Sequence, residues 1–200
     1  MITTIIVALI TAVFGPIAVT WFKTKYKPKS LTSPVDEAIE LNSLVDDQLG
    51  VIMEELKCDR VWISQFHNGG NFYPTGKSIQ KFSIFHEMYT PGVSPISDTF
   101  KNIPVSLFSK PISHLYSDGE ILISNYKKGN HFGLKTFAEG TGSKSSYIFA
   151  LNSINDEFIG TLGIEYCSRV KKLSEEQLNT ARTKSISIGT LLSTYLYAEK

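Results

Sequence analysis

The sequence predicts an α+β fold, an antiparallel sheet of about five or six strands flanked by long N- and C-terminal helices, behind one N-terminal transmembrane helix. An apolar segment opens the chain, and apolar residues recur at helical spacing directly after it and again at the C-terminus. Short β-branched and aromatic runs, separated by turn residues, lie between these helical stretches. With the apolar segment removed, about 170 residues remain, which suits one domain.

The apolar segment at residues 2–22 carries no ionisable side chain, and as a helix it would reach about 30 Å, the hydrocarbon thickness of a bilayer. Trp21 and Phe22 stand where an interfacial aromatic belt is expected. A secretory signal peptide is the alternative, but it needs basic residues before the apolar segment and a small-residue cleavage site after it. Neither pattern is present, so we predict an uncleaved membrane anchor at residues 1–22.

Four lysines follow the apolar segment: Lys23, Lys25, Lys27 and Lys29. Short lysine-rich flanks stay on the cytoplasmic side, so we expect the N-terminus outside and the folded domain in the cytoplasm, at the inner membrane. The same lysines are suited to anionic lipid headgroups. Two prolines make residues 23–34 an extended linker, which places the folded domain at 35–200.

Long helices are expected at both ends of the domain. Apolar residues recur at helical spacing over 35–57, where Ser33 is a candidate N-cap and Pro34 the first helical residue. Ser174 opens a Ser-Glu-Glu-Gln capping box, and an apolar stripe follows it to the C-terminus. These helices are suited to pairing with their copies, so we expect a homodimer or a higher homo-oligomer.

Five strands are expected between the two helices, at residues 60–66, 78–87, 120–124, 145–151 and 157–167. The first should end in a turn at 67–70, and the last two should form a hairpin. Four prolines in 89–115 predict a long irregular excursion with one short helix near 105–109, and a second short helix is expected at 132–138. We expect all helices on one face of the sheet.

The run Phe66-His67-Asn68-Gly69-Gly70 and the closing hairpin resemble a GAF domain, in particular phage and bacterial GAF-like domains with a Phe-His-Asn-Gly-Gly turn. The resemblance covers most of 35–197. It implies an antiparallel sheet flanked by helices, dimerisation through the terminal helices and a small-molecule pocket on one face. The Asn-Lys-Phe-Asp-Glu signature of cyclic-nucleotide-binding GAF domains is absent, and neither cysteine has the context of a bilin attachment site.

A ligand-contacting role is the functional interpretation of His67, Asn68, Gly69 and Gly70, together with Tyr73. The glycines allow positive φ and expose backbone N–H groups, and binding residues concentrate on loops carried by rigid scaffolds. The alternative is a hairpin or bulge in which the His and Asn side chains only tie the segment back. Nearby aromatic residues are suited to lining a pocket or to packing in the core: Phe72, Tyr73, Phe82, Phe85 and Tyr89.

Metal, cofactor and catalytic chemistry find little support. The histidines stand at no diagnostic ligand spacing: His67, His86, His114 and His131. Residues 139–144 miss the spacing of a phosphate-binding loop, and no catalytic triad or carboxylate pair stands out. We therefore predict a protein that is not an enzyme and has no metal or cofactor.

Charge and cysteine usage restrict the partners. The net charge of +1 argues against nucleic acid, which requires a basic surface to neutralise phosphates. Cys58 and Cys167 lack a metal-binding spacing and are expected to be reduced thiols, with one disulfide as the alternative.

Two functions of different classes fit this pattern. The first is a single-pass, membrane-anchored sensory module that binds a small molecule or a protein in the cytoplasm. The alternative is a phage lysis protein of the holin type, because one N-terminal membrane helix followed by a globular domain is similar in layout to the T-even phage holins. In those holins the domain faces the periplasm, whereas the lysines here favour the cytoplasm. A hydrolase ranks last.

Overall fold

The computed structural model describes residues 33–71, 75–129 and 131–197. The chain divides into two compact units, Met1–Ala38 and Ile39–Lys200. In the first unit, residues 33–38 contain a capped helix start, in which the Asp36 N–H donates to Ser33 Oγ at 3.1 Å. The Ser33 N–H donates in turn to the Asp36 carboxylate at 3.2 Å, which confirms the predicted N-cap.

The predicted membrane segment lies outside the described residues. This applies to the anchor at 1–22 with Trp21 and Phe22, and to the lysines of the linker: Lys23, Lys25, Lys27 and Lys29. Among the residues that the structure describes, none of the helices combines the length and the apolar character that crossing a bilayer requires. The anchor and its orientation stay predictions.

Four α-helices and six strands make up the described chain. The helices are α1 (Pro34–Leu56), α2 (Ser109–Asp118), α3 (Lys135–Thr141) and α4 (Glu175–Tyr197). The strands are β1 (Arg60–Asn71), β2 (Ser78–Tyr89), β3 (Ile103–Pro104), β4 (Glu120–Ile123), β5 (Ser145–Asn152) and β6 (Phe158–Tyr166). Short 3-10 turns at Val105–Phe108 and His131–Gly133 precede α2 and α3.

The six strands form one antiparallel sheet in the order β3-β2-β1-β6-β5-β4. The central pair, β1 and β6, runs in register from Arg60 opposite Glu165 to Gln65 opposite Gly160. Strands β5 and β6 form the predicted hairpin. The antiparallel α+β prediction is therefore confirmed.

The sheet separates two hydrophobic cores, because successive residues of a strand face opposite sides. Val61 and Ile63 belong to the core built with α1 and α4, whereas Trp62 and Phe66 belong to the core built with α2 and α3. The prediction that all helices lie on one face is therefore wrong. The central strands carry apolar residues on both faces, and the long helices cover one face while the short helices cover the other.

Residues 67–70 belong to β1 and do not form a turn. The pairing with β2 continues to Asn68 opposite Gln80 and resumes at Asn71 opposite Ser78, with a bulge at the two glycines. Gly70 has a φ of +102°, which an L side chain rarely adopts. The predicted strand end is wrong, because the two glycines form a bulge within the strand.

Helix α2 is missing from the sequence prediction, which leaves this region irregular apart from the short helix near 105–109. Pro111 is the third residue of α2. A proline in the first turn does not interrupt a helix, because the first N–H groups have no partner within the helix. The expected short helix corresponds to the 3-10 turn at Val105–Phe108 that leads into α2.

Candidate functional site

A cavity of about 80 Å³ lies on the sheet face that the short helices cover. Strands β1, β2, β5 and β6 supply its floor, and the segment after β2, α2 and α3 supply its cover. Aromatic side chains form much of the lining: Trp62, Phe66, Phe82, Phe100, Phe108 and Phe137. The cavity is therefore mainly apolar, as small-molecule sites usually are.

A chain of phenylalanine rings connects the sheet with the surface. The Phe108 ring lies 5.3 Å from Phe82, 6.0 Å from Phe100 and 4.6 Å from Phe137, measured between ring centroids. Such separations are favourable for aromatic pairs. Phe137 is 43% exposed, so this chain of rings ends at the solvent and marks the mouth of the cavity.

Three alternate cross-strand pairs of β1 and β6 lie on the sheet face that carries the cavity: Arg60 with Glu165, Trp62 with Gly163, and Ser64 with Thr161. A Cβ atom on Gly163 would lie 2.1 Å from Cε2 of the Trp62 ring, so the indole lies across a position that only glycine leaves open. The Ser64 and Thr161 hydroxyls are hydrogen-bonded to each other at 2.7 Å. The floor is therefore aromatic in the middle and polar at both ends.

Arg60 is fully buried and forms an ion pair with Glu165, with Nε 2.8 Å from Oε2. Its guanidinium also donates to the Ser94 carbonyl at 2.7 Å, the Thr141 carbonyl at 3.3 Å and Ser143 Oγ at 3.0 Å. Ser143 Oγ donates to the same Glu165 oxygen at 2.6 Å. One side chain thus connects the sheet to two segments that cover the cavity.

The remaining polar groups of the lining also have partners, with one exception. Glu165 Oε1 accepts from Ser146 Oγ at 3.4 Å, and the Thr141 hydroxyl donates to a carbonyl of α3 at 2.9 Å. Burial raises the pKa of Tyr126, and a hydrogen bond with Ser146 opposes this shift. The exception is Trp62, whose buried Nε1 has no hydrogen-bond partner in the described part of the chain.

Four of the predicted ligand contacts lie together on the distal half of β1: His67, Asn68, Gly69 and Gly70. None of the four is among the described residues that line the cavity. His67 Nε2 lies 2.9 Å from the Ser83 hydroxyl of β2, and the Asn68 side chain accepts from Ser78. Tyr73 lies outside the described residues. A ligand-contacting role for this group stays a prediction.

The histidines are dispersed. His86 Nδ1 lies 3.5 Å from an Asp46 carboxylate oxygen, and His114 Nδ1 lies 2.7 Å from Asp118. His131 is in ring contact with Tyr126. Within residues 33–71, 75–129 and 131–197, no three His, Cys, Asp or Glu side chains gather in a way that could hold a metal ion.

Both cysteines are free thiols, so the disulfide alternative is not realised. Burial raises the pKa of Cys58 to about 12, which keeps it a protonated thiol at neutral pH. Burial likewise raises the pKa of Cys167. Neither residue is among the described lining of the cavity.

Three residues of the site are not predicted from the sequence: Arg60, Trp62 and Glu165. A signal for two of them exists, because Arg60 is the one Lys, Arg, Asp or Glu of β1 and Glu165 is the one of β6, and their charges are opposite. Charged residues are rarely buried unless they are paired. The position of Trp62 follows from strand alternation, since its neighbours Val61 and Ile63 fill the opposite core.

No protein-family model matches the chain, and no curated protein matches it by sequence. Solved GAF domains match it by structure. The photoproduct state of GAF3 from Slr1393 of Synechocystis sp. PCC6803 has a TM-score of 0.62 at 12% identity, covering 79% of this chain and 96% of that chain. The phycocyanobilin-bound GAF domain from a cyanobacterial phytochrome has a TM-score of 0.63 at 16% identity, covering 82% and 91%.

The blue-light absorbing form of the PixJ GAF domain from Thermosynechococcus elongatus gives a TM-score of 0.59 at 15% identity, covering 84% of this chain and 96% of that chain. Identities this low establish the fold alone. The closer resemblance to phage and bacterial domains with a Phe-His-Asn-Gly-Gly turn stays a prediction. On the structural evidence, the chain has a GAF-like fold.

Proposed function

We propose that this chain is a non-catalytic sensory module whose GAF-like domain binds a small molecule in the cavity between the sheet and the short helices. The observation that carries this proposal is the cavity itself, an aromatic enclosure with a few oriented polar groups on its floor. Binding sites for small molecules have this composition. One structural neighbour is described as phycocyanobilin-bound, which supports ligand binding on this fold.

A bilin is a poor candidate for this chain. The cavity measures about 80 Å³, whereas pockets for drug-sized ligands measure about 300–1,000 Å³. Covalent attachment also requires a cysteine beside the ligand, and neither Cys58 nor Cys167 is among the described lining residues. The ligand of the proposed sensor is therefore compact and held without a covalent bond.

The proposed sensor is anchored in the inner membrane as a homodimer. The uncharged segment 2–22 and the lysines that follow it support the anchor and a cytoplasmic position of the domain. Leu44 on α1 and Ile186 on α4 are 45% and 69% exposed, which supports pairing of the terminal helices with a second copy. A ligand that favours one packing of these helices would shift the dimer between two states.

Filling the cavity should abolish ligand binding. Ala138 is buried in the lining, so Ala138→Phe places a ring in the space that a ligand needs. Glu139→Phe adds the same ring at the neighbouring, exposed position of α3 and is the matched control. Full-length chain in detergent is screened against small neutral fragments by saturation-transfer NMR. We expect fragments that bind the unmodified chain to bind the Glu139→Phe variant as well but not the Ala138→Phe variant. Binding to both variants would contradict the proposal.

Topology separates the sensor from the holin-type alternative. When the full chain is expressed in bacteria and spheroplasts are treated with protease, we expect the domain to be protected and the membrane potential to persist. The physical reason is the retention of lysine-rich flanks on the cytoplasmic side. A clipped domain, or abrupt loss of the membrane potential on expression, would instead support the lysis protein.

A further inference from the structure

We infer that the cavity takes a compact, uncharged carbonyl compound, whose oxygen accepts a hydrogen bond from the indole N–H of Trp62. The inference rests on the proposed ligand-binding function and names the chemical class of the ligand. It depends on four properties of the cavity: an unpartnered donor, satisfied neighbours, a neutral floor and a small volume.

The unpartnered donor is Trp62 Nε1. The Trp62 side chain lines the cavity, and its Nε1 is buried without an acceptor among the residues that the structure describes. Indole is a hydrogen-bond donor only, so an acceptor must come from elsewhere. Burying a donor without a partner is unfavourable, and a molecule that brings an acceptor to this position removes that penalty.

The neighbouring polar groups already have hydrogen-bond partners within the protein. Ser64 and Thr161 bond to each other, and the Thr141 hydroxyl donates within its own helix. Tyr126 is hydrogen-bonded to a serine, and Glu165 accepts from an arginine and two serines. Each of these groups has a partner within the protein, whereas Trp62 Nε1 has none among the described residues. A carbonyl, which accepts and does not donate, matches that donor.

The floor of the cavity is electrically neutral. Glu165 is the one carboxylate in the described lining, and Arg60 forms an ion pair with it. A charged ligand would lie in an aromatic enclosure without a free counter-charge, which is costly. The ligand is therefore uncharged.

The volume of the cavity favours a small ligand. The cavity of about 80 Å³ lies well below the roughly 300–1,000 Å³ of pockets for drug-sized ligands, which suits a compact molecule. Small cyclic or branched ketones meet the requirements of size, charge and hydrogen bonding together.

The test compares two probes that differ in one group. Cyclopentanone carries the carbonyl oxygen, and methylenecyclopentane carries a CH₂ group in its place. Full-length chain with ¹⁵N-labelled tryptophan is titrated in detergent, and the Trp62 indole N–H resonance is followed by NMR. The chain contains two tryptophans, so a Trp21→Phe variant assigns the resonance. We expect cyclopentanone to shift it downfield and methylenecyclopentane to leave it nearly unchanged.

The matched variant is Trp62→Phe, which keeps an aromatic ring over Gly163 and removes the donor. Ligand-observed NMR should show cyclopentanone binding weakened about tenfold in this variant, the effect of one buried hydrogen bond, and alkene binding little changed. Equal binding of both probes to both chains would overturn the inference and leave the proposed function standing. Binding of neither probe would also overturn it, and the fragment screen with Ala138→Phe then decides the proposed function separately.

Discussion

Arg60→Ala should lower the free energy of unfolding by about 3–5 kcal/mol, because it leaves the buried Glu165 carboxylate without a counter-charge. The fully buried guanidinium also donates to the carbonyls of Ser94 and Thr141, which would lose their partner. Urea titration of the full chain in detergent, followed by circular dichroism, measures the effect.

Arg182→Ala is the matched control for this prediction. Arg182 forms a two-point pair with Glu120, with both N–O distances at 2.8 Å, but both side chains are partly exposed to solvent. Such a pair contributes about 0–1 kcal/mol. Arg60→Met combined with Glu165→Leu removes both buried charges and should recover most of the lost stability. Equal losses of unfolding free energy in Arg60→Ala and Arg182→Ala would show that burial does not increase the contribution of the ion pair.

Gly163→Ala adds a single methyl group, yet it should lower the free energy of unfolding by about 1–3 kcal/mol and displace the Trp62 side chain. The added Cβ would lie 2.1 Å from Cε2 and 2.2 Å from Cζ2 of the indole. The backbone cannot yield easily, because β6 is paired with β1 on one side and β5 on the other. Thermal unfolding and the tryptophan emission spectrum report the two consequences.

A double-mutant cycle tests whether the indole is the cause. In a Trp62→Ala background the obstructing ring is gone, so Gly163→Ala should have little further effect. Gly50→Ala is the control for glycine replacement, since nothing lies within 4 Å of its added Cβ and the site is inside α1. That change should stabilise by about 0.5–1 kcal/mol. Additive effects of Trp62→Ala and Gly163→Ala would refute the steric explanation.

The helix starts are predictable from sequence because their signals are local. Ser174 and Gln177 form the same reciprocal pair of hydrogen bonds that Ser33 and Asp36 form, all within three residues of chain. The end of β1 is not decided locally. Two consecutive glycines suit a turn or a bulge equally well, and pairing with β2 selects the bulge.

The cavity is less predictable, because its lining comes from segments far apart in the chain. Of the aromatic candidates, Phe82 lines the cavity, whereas Phe85 and Tyr89 are exposed and the other two lie outside the described residues. Phe108 and Phe137 reach the cavity only because α2 and α3 cover that face of the sheet. Periodicity identifies which residues are apolar, but it does not assign them to one of two cores.

The Arg60 guanidinium holds the Ser94 carbonyl on one cover segment and the Thr141 carbonyl on another. Because one guanidinium bonds to both segments, moving either segment away from the sheet would also weaken a contact of the other, so the two parts of the cover are mechanically coupled.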